Sequence, residues 1–475
     1  MRHIFASIIL IAGDVLVFYG AIFIALSIRS WQLPSFEFAL RNSAAFSFVL
    51  PIWILIYFYM GLYKFRNIRD LSTLIGDSII SFFIILGISA MVFYLFPEYL
   101  LTPKTHLLLA ATFTCTGWIL LRRTWLYTIY SQELSQRVTF IGENSIILSI
   151  IDDLKQIQHS GFQHVPRKEI DKYLRLEMDI DQEQSQEAAA YRLKTLVDLL
   201  VVDSAQIEGD SDFAGKMIDL AHYADIPIWT DLDFYEELYE KIPPELASRP
   251  VWLLSNVFRR RRDLYRAYIK RVMDILIGSA AFVAGLPFLL LVAATIRFFD
   301  GRMVLYPQVR IGFHGSPFTF WKFRTMIPNS DTNGYLWGQG KSDSRVTKVG
   351  KILRRFRLDE LPQLWNVVKG DMSLVGPRPT WVGEKQAFKL KHYNLRHLVK
   401  PGMSGWAQVS HRATDNLEDT IDKLHYDLYY VKHLSFGLDI AILLKTIRRV
   451  LQPEQVYHAM IRTDVKTSSR KKKAA

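Results

Sequence analysis

Four apolar runs fill the first 130 residues, at about Ile4–Ile28, Phe46–Tyr63, Leu74–Phe96 and His106–Leu121. Each is about long enough to cross a bilayer core of ~30 Å, the last marginally, so residues 1–130 read as a four-helix transmembrane domain. Basic residues follow the second run (Lys64, Arg66, Arg69) and the fourth (Arg122, Arg123). By the positive-inside rule both ends of the bundle face the cytoplasm, a bias that Arg29 and Arg41 on the opposite side weaken without reversing. No small-residue cleavage site follows the first run, which is too long for a cleavable signal. Asp14 within that run is an expensive place for a carboxylate and predicts a polar contact between helices, ahead of a role in a lipid pathway.

The pattern changes after Gln132. Val138–Gly142, Leu196–Asp203 and Ile226–Thr230 read as strands, and Ile146–Ile157 and Phe213–Tyr223 as helices. This alternation predicts an α/β layer domain with a parallel sheet over 131–250. Its first strand–helix turn reads Gly142-Glu143-Asn144-Ser145. A dinucleotide would need further glycines there for close backbone approach, and Glu143 adds the wrong charge, so the fold is a degenerate, Rossmann-like one with a structural or regulatory part. The polar, acidic stretch Asp181–Glu187 reads as a solvated loop.

Residues 251–475 make the third region. Arg259–Arg262 is a run of four arginines, followed by Arg266, Lys270 and Arg271. No base-stacking platform accompanies them, so anionic lipid headgroups are favoured over nucleic acid. Ile275–Ile296 is long enough to cross a membrane, but Pro287 falls in its middle and Arg271 and Arg297 flank both ends. A proline there removes a helical hydrogen bond and clashes with the preceding turn. A broken helix that dips into the membrane and returns fits these features better than a crossing. Pro307–Gly315 and Phe318–Met326 then read as strand, turn and strand, with Lys322 and Arg324 on one face. The polar stretch Asn329–Asp343 reads as a loop, and His314, without a partner at ligand spacing, as a surface histidine.

The densest chemistry lies in Arg354–Pro379, RRFRLDELPQLWNVVKGDMSLVGPRP. Leu361, Leu364, Trp365 and Val368 recur at helical spacing, predicting a helix that starts at Asp359–Glu360 with Pro362 in its first turn. A helix N-terminus favours ionised acids, and such an Asp serves as a nucleophile or as a ligand for a hard cation such as Mg2+. Ordinary helix capping explains the pair equally well in isolation. The rigid Gly376-Pro377-Arg378-Pro379 segment places a guanidinium close in sequence, an arrangement suited to phosphate.

Half of the 475 residues are hydrophobic and the formal net charge is +12, which implies anionic partners. The single cysteine, Cys115, excludes an internal disulfide and a cysteine-based zinc site, and reads as packing.

LDELPQLWNVVKGDMSLVGPRP closely resembles the core signature of the bacterial sugar transferases, the monotopic phosphoglycosyl transferases. The resemblance extends through KFRTM (Lys322–Met326), RVTKVGKILR (Arg345–Arg354), PGMSGWAQVSHR (Pro401–Arg412) and YDLYYVKHLSFGLDIAILLKT (Tyr426–Thr446), roughly the last two hundred residues. Two departures stand out. Leu286 occupies the place where the family commonly has Ser before the break proline, and Met403, Ser404, Ser410 and His411 differ from the usual PGITGWAQVNGR. Larger members carry a similar four-helix bundle and degenerate nucleotide-fold domain.

The resemblance implies an undecaprenyl-phosphate hexose-1-phosphate transferase of the bacterial inner membrane, with its catalytic domain in the cytoplasm. It would move hexose-1-phosphate from a UDP-hexose (UDP-glucose first, UDP-galactose second) to undecaprenyl phosphate and release UMP, starting a capsule, exopolysaccharide or O-antigen unit. Asp359 would be the nucleophile, forming a phosphosugar–aspartate, and Glu360 a Mg2+ ligand or a base. Arg354, Arg378 and Arg412 would contact phosphate, as would Lys322, with Arg324 and Asp427 also on the substrate, and Pro287 would bend a re-entrant membrane helix. Oligomeric state stays open. A membrane-tethered nucleotide-sugar epimerase or dehydratase would need a glycine fingerprint and a Tyr-x-x-x-Lys relay, and neither stands in a suitable context. An inert membrane scaffold is opposed by the complete acidic pair and GPRP segment.

Overall fold

The structure, a computed structural model, describes residues 2–63, 71–95, 104–128, 135–156, 161–174, 183–204, 212–243, 264–301, 303–327, 345–383, 387–390, 392–411 and 417–451. Arg412, Arg259–Arg262, Lys64, Arg66, Arg69 and the stretch Asn329–Asp343 lie outside them. The chain divides into two compact units, with the boundary between Asp231 and Leu232.

The first unit opens with helices α1 (Arg2–Ser30), α2 (Phe36–Ser47), α3 (Leu50–Tyr59), α4 (Leu71–Leu95) and α5 (Lys104–Thr128). Stretches of α1 (Ile8–Ser30) and α4 (Leu74–Leu95) are each apolar and long enough to span a membrane. The second apolar run is not one helix. Pro51, with no N–H to continue the ladder, stands in the first turn of α3, and α2 and α3 meet at 48°. Together they make one bent candidate span. Helix α5 is long enough but falls short in apolarity, because Arg122 and Arg123 sit in its last turns.

Those arginines lead to the bundle's main polar feature. Leu10, Asp14, Phe18, Ala21, Ile22 and Ala25 recur at helical spacing and form the buried stripe of α1. Asp14 and Arg122 are both fully buried, and the guanidinium meets the carboxylate in two parallel contacts, Nη1–Oδ1 at 2.8 Å and Nη2–Oδ2 at 2.9 Å. Tyr63 donates to Asp14 as well, Trp118 donates to the Asp14 carbonyl, and Arg122 Nε donates to the Leu62 carbonyl. The inter-helix contact expected of Asp14 is therefore present, and Arg122 is its partner. Arg122 spends its charge inside the bundle and cannot count towards the positive-inside bias.

Removing one partner leaves the other charge buried and uncompensated, so Asp14→Ala should cost about 3–5 kcal/mol. Thermal unfolding in detergent checks this: Asp14→Ala should melt well below a double Asp14→Leu/Arg122→Met protein, in which neither charge remains.

The rest of this unit is a parallel sheet of β1 (Gln136–Ile141), β2 (Phe162–His164), β3 (Leu199–Val202) and β4 (Ile228–Thr230), in the order β2-β1-β3-β4. Helices α6 (Ser145–Gln156), α7 (Arg167–Leu174), α8 (Glu183–Leu196) and α9 (Asp212–Tyr223) connect them. The α/β layer expected from the alternation is present. Two details differ. Strand β2 is too short to show period, and Glu183–Glu187 is helical rather than loop, because Ala189, Ala190 and Leu193 of the same helix enter the core. At the β1–α6 turn Gly142 has φ +118, and a Cβ there would stand 2.4 Å from Asp203 Cβ. Asn144 caps α6 by accepting from Ile147 N, while its amide donates to the buried Asp231 carboxylate at 2.6 Å. The turn is thus closed by the protein's own carboxylates.

The second unit begins within α10 (Asp231–Tyr239) and continues into a buried anchor. Glu236 accepts two bonds from Lys432 and pairs with His433, Lys241 pairs with Asp422 at 2.8 Å, and Ile242 is buried beside Tyr393, Leu424 and Leu428. Helix α11 (Lys270–Phe299) follows, 30 residues that are long and apolar enough to span a membrane. The expected break at Pro287 is not an interruption: the helix is assigned continuously through it. Packing on both sides of the proline holds the helix together, by Phe282 against Trp365 before it and Leu289, Val292 and Ile296 against Phe323 and Leu353 after it.

Beyond α11 a hairpin of β5 (Leu305–Ile311) and β6 (Pro317–Phe323) carries the expected strand–turn–strand, with exposed His314 in its turn. Helix α12 (Lys348–Arg355), a 3-10 turn (Leu358–Glu360), α13 (Gln363–Lys369), β7 (Ser373–Val375) and β8 (Thr380–Trp381) come next. After a 3-10 stretch (Tyr393–Leu398), the chain closes with β9 (Gly402–Ser404), α14 (Trp406–Ser410), α15 (Leu417–His433) and α16 (Phe436–Leu451). Strand β8 adds to β5, and β7 pairs with β9 in parallel.

Candidate active site

The site is built on the turn between α12 and α13. Arg357 takes a left-handed conformation (φ 54, ψ 25), which ends α12 and sends Leu358–Glu360 into the 3-10 turn. The acidic pair therefore does not open an α-helix, as the periodicity suggested. Pro362 caps α13, whose first residue is Gln363. Leu358 and Leu361 on either side of the pair pack towards the α11 core of Leu289, Val292 and Ile296. The residues flanking the carboxylates thus share a core with the apolar helix.

The two carboxylates have different surroundings. Glu360 is gripped by Arg378, with Nη2–Oε1 at 2.5 Å and Nη1–Oε2 at 3.3 Å. Burial works to raise the Glu360 carboxyl, but the Arg378 ion pair and hydrogen bonds, with the fields of Arg357 and Arg310, outweigh it and hold the group at about 2. Asp359 is half-buried, and among the described residues no cation pairs with it within 4.0 Å. Burial and the neighbouring Glu360 push its carboxyl above the ordinary carboxylate range, against the pull of Arg354 and Arg378. This reverses the stabilised ionised Asp expected at a helix N-terminus. One carboxylate is locked and ionised; the other has no cation within 4.0 Å among the described residues and is the one whose charged form is disfavoured.

Replacing Arg354 with Gln removes one of the charges that favour ionised Asp359, so its titration should move to higher pH. Carbon NMR of labelled aspartate would follow this, and a shift to lower pH would contradict the electrostatics.

Arg378 is itself held from behind. Gly376 has no room for a side chain, since a Cβ would lie 2.3 Å from the Lys400 carbonyl oxygen, and one at Gly402 would lie 2.0 Å from Gly376 N. The β7–β9 pair can approach only because both positions are glycine. Tyr430 donates to the Val375 carbonyl, Arg396 to the Arg378 carbonyl at 2.7 Å, and Arg310 to the Pro379 carbonyl at 2.8 Å.

The other expected site residues fall at different depths. Exposed Arg354 donates to Thr325 Oγ1 and lies close enough for its charge to act on Asp359. Lys322, on β6, lies 4.9 Å over the Tyr306 ring of β5, and β6 packs against the acidic turn. Arg324 is buried and donates to the Asp300 carbonyl, tying down the C-terminal end of α11. Asp427 is also enclosed, 1% exposed, with Arg396 Nη2 2.7 Å from Oδ2. Arg412 lies outside the described residues.

Sequence reasoning missed Arg310 and Arg396. Arg310 alternates with Val309 and Ile311 in a strand, where an inward cation is not distinguished from a solvated one. Arg396 lies a few residues upstream of the PGMSG motif, a signal that was available.

The residues suit a Mg2+ that arrives with its substrate. Magnesium takes one or two carboxylates plus phosphate oxygens and water, and Asp359 and Glu360 are adjacent. Among the described residues no cluster of three or more His, Cys, Asp or Glu forms a protein-only cage.

The family description "Bacterial sugar transferase" matches residues 265–453. The UDP-N-acetylgalactosamine-undecaprenyl-phosphate N-acetylgalactosaminephosphotransferase of Aeromonas hydrophila is 44% identical over 188 residues, 39% of this chain and 44% of the relative. The UDP-glucose:undecaprenyl-phosphate glucose-1-phosphate transferase of Klebsiella pneumoniae is 40% identical over 182 residues, 38% of this chain and 39% of the relative. In both, the match spans less than half of the relative's length. The uncharacterized sugar transferase EpsL of Bacillus subtilis (strain 168) is 40% identical over 188 residues, 40% of this chain and 90% of that protein. A relative matched over nearly its whole length at this identity, with the family description covering the region that holds Asp359, Glu360 and Arg378, leaves one assignment: the chain belongs to the bacterial sugar transferase family.

Proposed function

We propose that the protein transfers a sugar-1-phosphate from a UDP-sugar to undecaprenyl phosphate, releasing UMP. The observation that carries this reading is the asymmetric acidic pair, an open Asp359 beside a Glu360 locked by Arg378, set above an apolar helix. Both substrates are anionic. Two unit charges 4 Å apart repel by ~4 kcal/mol at an effective dielectric of about 20, close to a thousandfold in rate. Arg354 and Arg378 offset that repulsion, and a Mg2+ held by Asp359, Glu360 and the donor phosphates would neutralise more of it.

In the first step an Asp359 carboxylate oxygen attacks the sugar-bearing phosphorus. The bond from that phosphorus to the bridging oxygen breaks and UMP leaves. In the second, an oxygen of undecaprenyl phosphate attacks the same phosphorus and the Asp359–phosphorus bond breaks, restoring the carboxylate. Glu360, held ionised at about 2 by Arg378, fixes that guanidinium on the phosphate; so low a carboxyl is a poor proton acceptor, which leaves a shared metal ligand as its further role.

The acceptor arrives through the membrane along α11. Support for a helix seated from one side comes from its two ends. Asp274 near the start accepts from Ser373 Oγ and Leu374 N, and Asp300 at the end accepts from Arg324, all within one folded unit. Leu276, Val283, Leu290 and Leu291 stay exposed for lipid. We place the unit on the cytoplasmic face of the inner membrane, where UDP-sugars are made. Among hexoses glucose comes first, then galactose, and the Aeromonas relative adds N-acetylgalactosamine. The product would start an exopolysaccharide, capsule or O-antigen unit.

UMP release in nanodiscs with Mg2+ tests this across UDP-glucose, UDP-galactose and UDP-N-acetylgalactosamine. Release that persists through many turnovers only with undecaprenyl phosphate is expected for one donor. No release with any UDP-sugar from well-folded protein would overturn it.

A further inference from the structure

We propose that Arg396 and Asp427 act as one positioning unit, which sets the Arg378 backbone so that its guanidinium meets Glu360. This rests on the function proposed above and adds residues that touch no substrate.

The geometry runs in one line from the interior to the site. Asp427 on α15 is 1% exposed and Arg396 is 4% exposed. Their charged groups lie 2.7 Å apart, at an angle that makes an ion pair rather than a straight hydrogen bond. Arg396 then spreads its fork over the segment that carries Arg378. Nη2 donates to the Arg378 carbonyl at 2.7 Å, and Nη1 donates to Thr380 Oγ1 at 3.1 Å and to Tyr393 Oη at 2.5 Å. Thr380 and Tyr393 share a further hydrogen bond at 2.9 Å. The Arg378 side chain leaves this held backbone on the other side and grips Glu360.

A buried guanidinium has no reason to stay among carbonyls without a counter-charge, and Asp427 supplies it. A flat fork with several fixed donors also sets direction, which a lysine ammonium does not. Displacing a phosphate-binding group by about 1 Å costs on the order of a hundredfold in rate. A distant carboxylate can therefore govern the reaction without contacting it.

The experiment compares wild type, Asp427→Asn, Arg396→Lys and the double variant in the full chain. Two readouts are taken, donor-dependent UMP release and hydrogen exchange of the peptide covering residues 375–381. Each single change should cut kcat on the order of a hundredfold, with donor KM moved less than about threefold. The double should be no worse than the poorer single, since the two residues work as a unit. Exchange at 375–381 should rise at least about tenfold in all three. Additive losses, a KM rise in Asp427→Asn, or unchanged exchange would overturn the proposal. Should Arg396→Lys fail to fold, Thr380→Val removes one Arg396 contact without changing charge. It should lower kcat about tenfold at constant KM, and an unchanged kcat would count against the unit. A wild type inactive on every donor would sink the proposed reaction, while the exchange data would still decide the positioning role.

Discussion

Asp359→Asn is expected to abolish transfer, lowering kcat by on the order of 10^4-fold or more, because the amide cannot form the acyl phosphate of the proposed first step. The same change should not weaken the fold. Burial and Glu360 hold the Asp359 carboxyl above its usual range, so the ionised form is the penalised one in the folded protein. With a raised pKa, this group is least unfavourable when protonated, and the penalty grows as pH rises through the folded value. An uncharged isostere removes that penalty at neutral pH. Thermal unfolding of Asp359→Asn should therefore match or exceed wild type near pH 7, with the advantage disappearing in acid. Loss of activity together with a lower melting temperature would contradict the account of the pair.

The second large effect is at Arg378. Truncation to Ala leaves Glu360 half-buried without its partner and takes a cation from the phosphate site. A single preorganised charge contact of this kind is worth about 10²–10³ in kcat. Arg378→Lys restores the charge but not the two-pronged grip at 2.5 and 3.3 Å, so it should recover only part of the rate. Glu360, held at about 2 by this contact, should titrate at markedly higher pH in Arg378→Ala. Full rescue by Lys would mean that charge alone matters and that the fork geometry is incidental.

How much of this could be read from the chain follows from the range of the interactions. Apolar runs and strand–helix alternation are local patterns, and they located the long apolar helices, the parallel sheet and the β5–β6 hairpin. The acidic pair and GPRP segment were also legible, because chemistry and turn residues coincide within a few positions. Pairings across long separations were not. Asp14 and Arg122 are 108 residues apart, and nothing near Arg122 distinguishes a buried partner from a topology signal. Arg396 and Asp427 meet only because α15 folds back beside the 3-10 stretch. Local rules also failed where packing overrode them. Pro287 does not interrupt α11, since the helix is held by Trp365 on one side and Phe323 on the other. The left-handed Arg357 replaces the expected helix start with a 3-10 turn, and burial, with the neighbouring Glu360, disfavours Asp359 as an anion.

The central claim is that the sugar phosphate passes through Asp359. The most direct test incubates purified protein with a UDP-sugar labelled in its sugar-linked phosphate, with Mg2+ and without undecaprenyl phosphate. The account predicts close to one label per chain, located on the peptide containing Asp359, absent from Asp359→Asn and chased onto lipid when undecaprenyl phosphate is added. Label that reaches lipid at full rate without ever residing on the protein would mean direct attack by the acceptor, and the covalent route would be wrong.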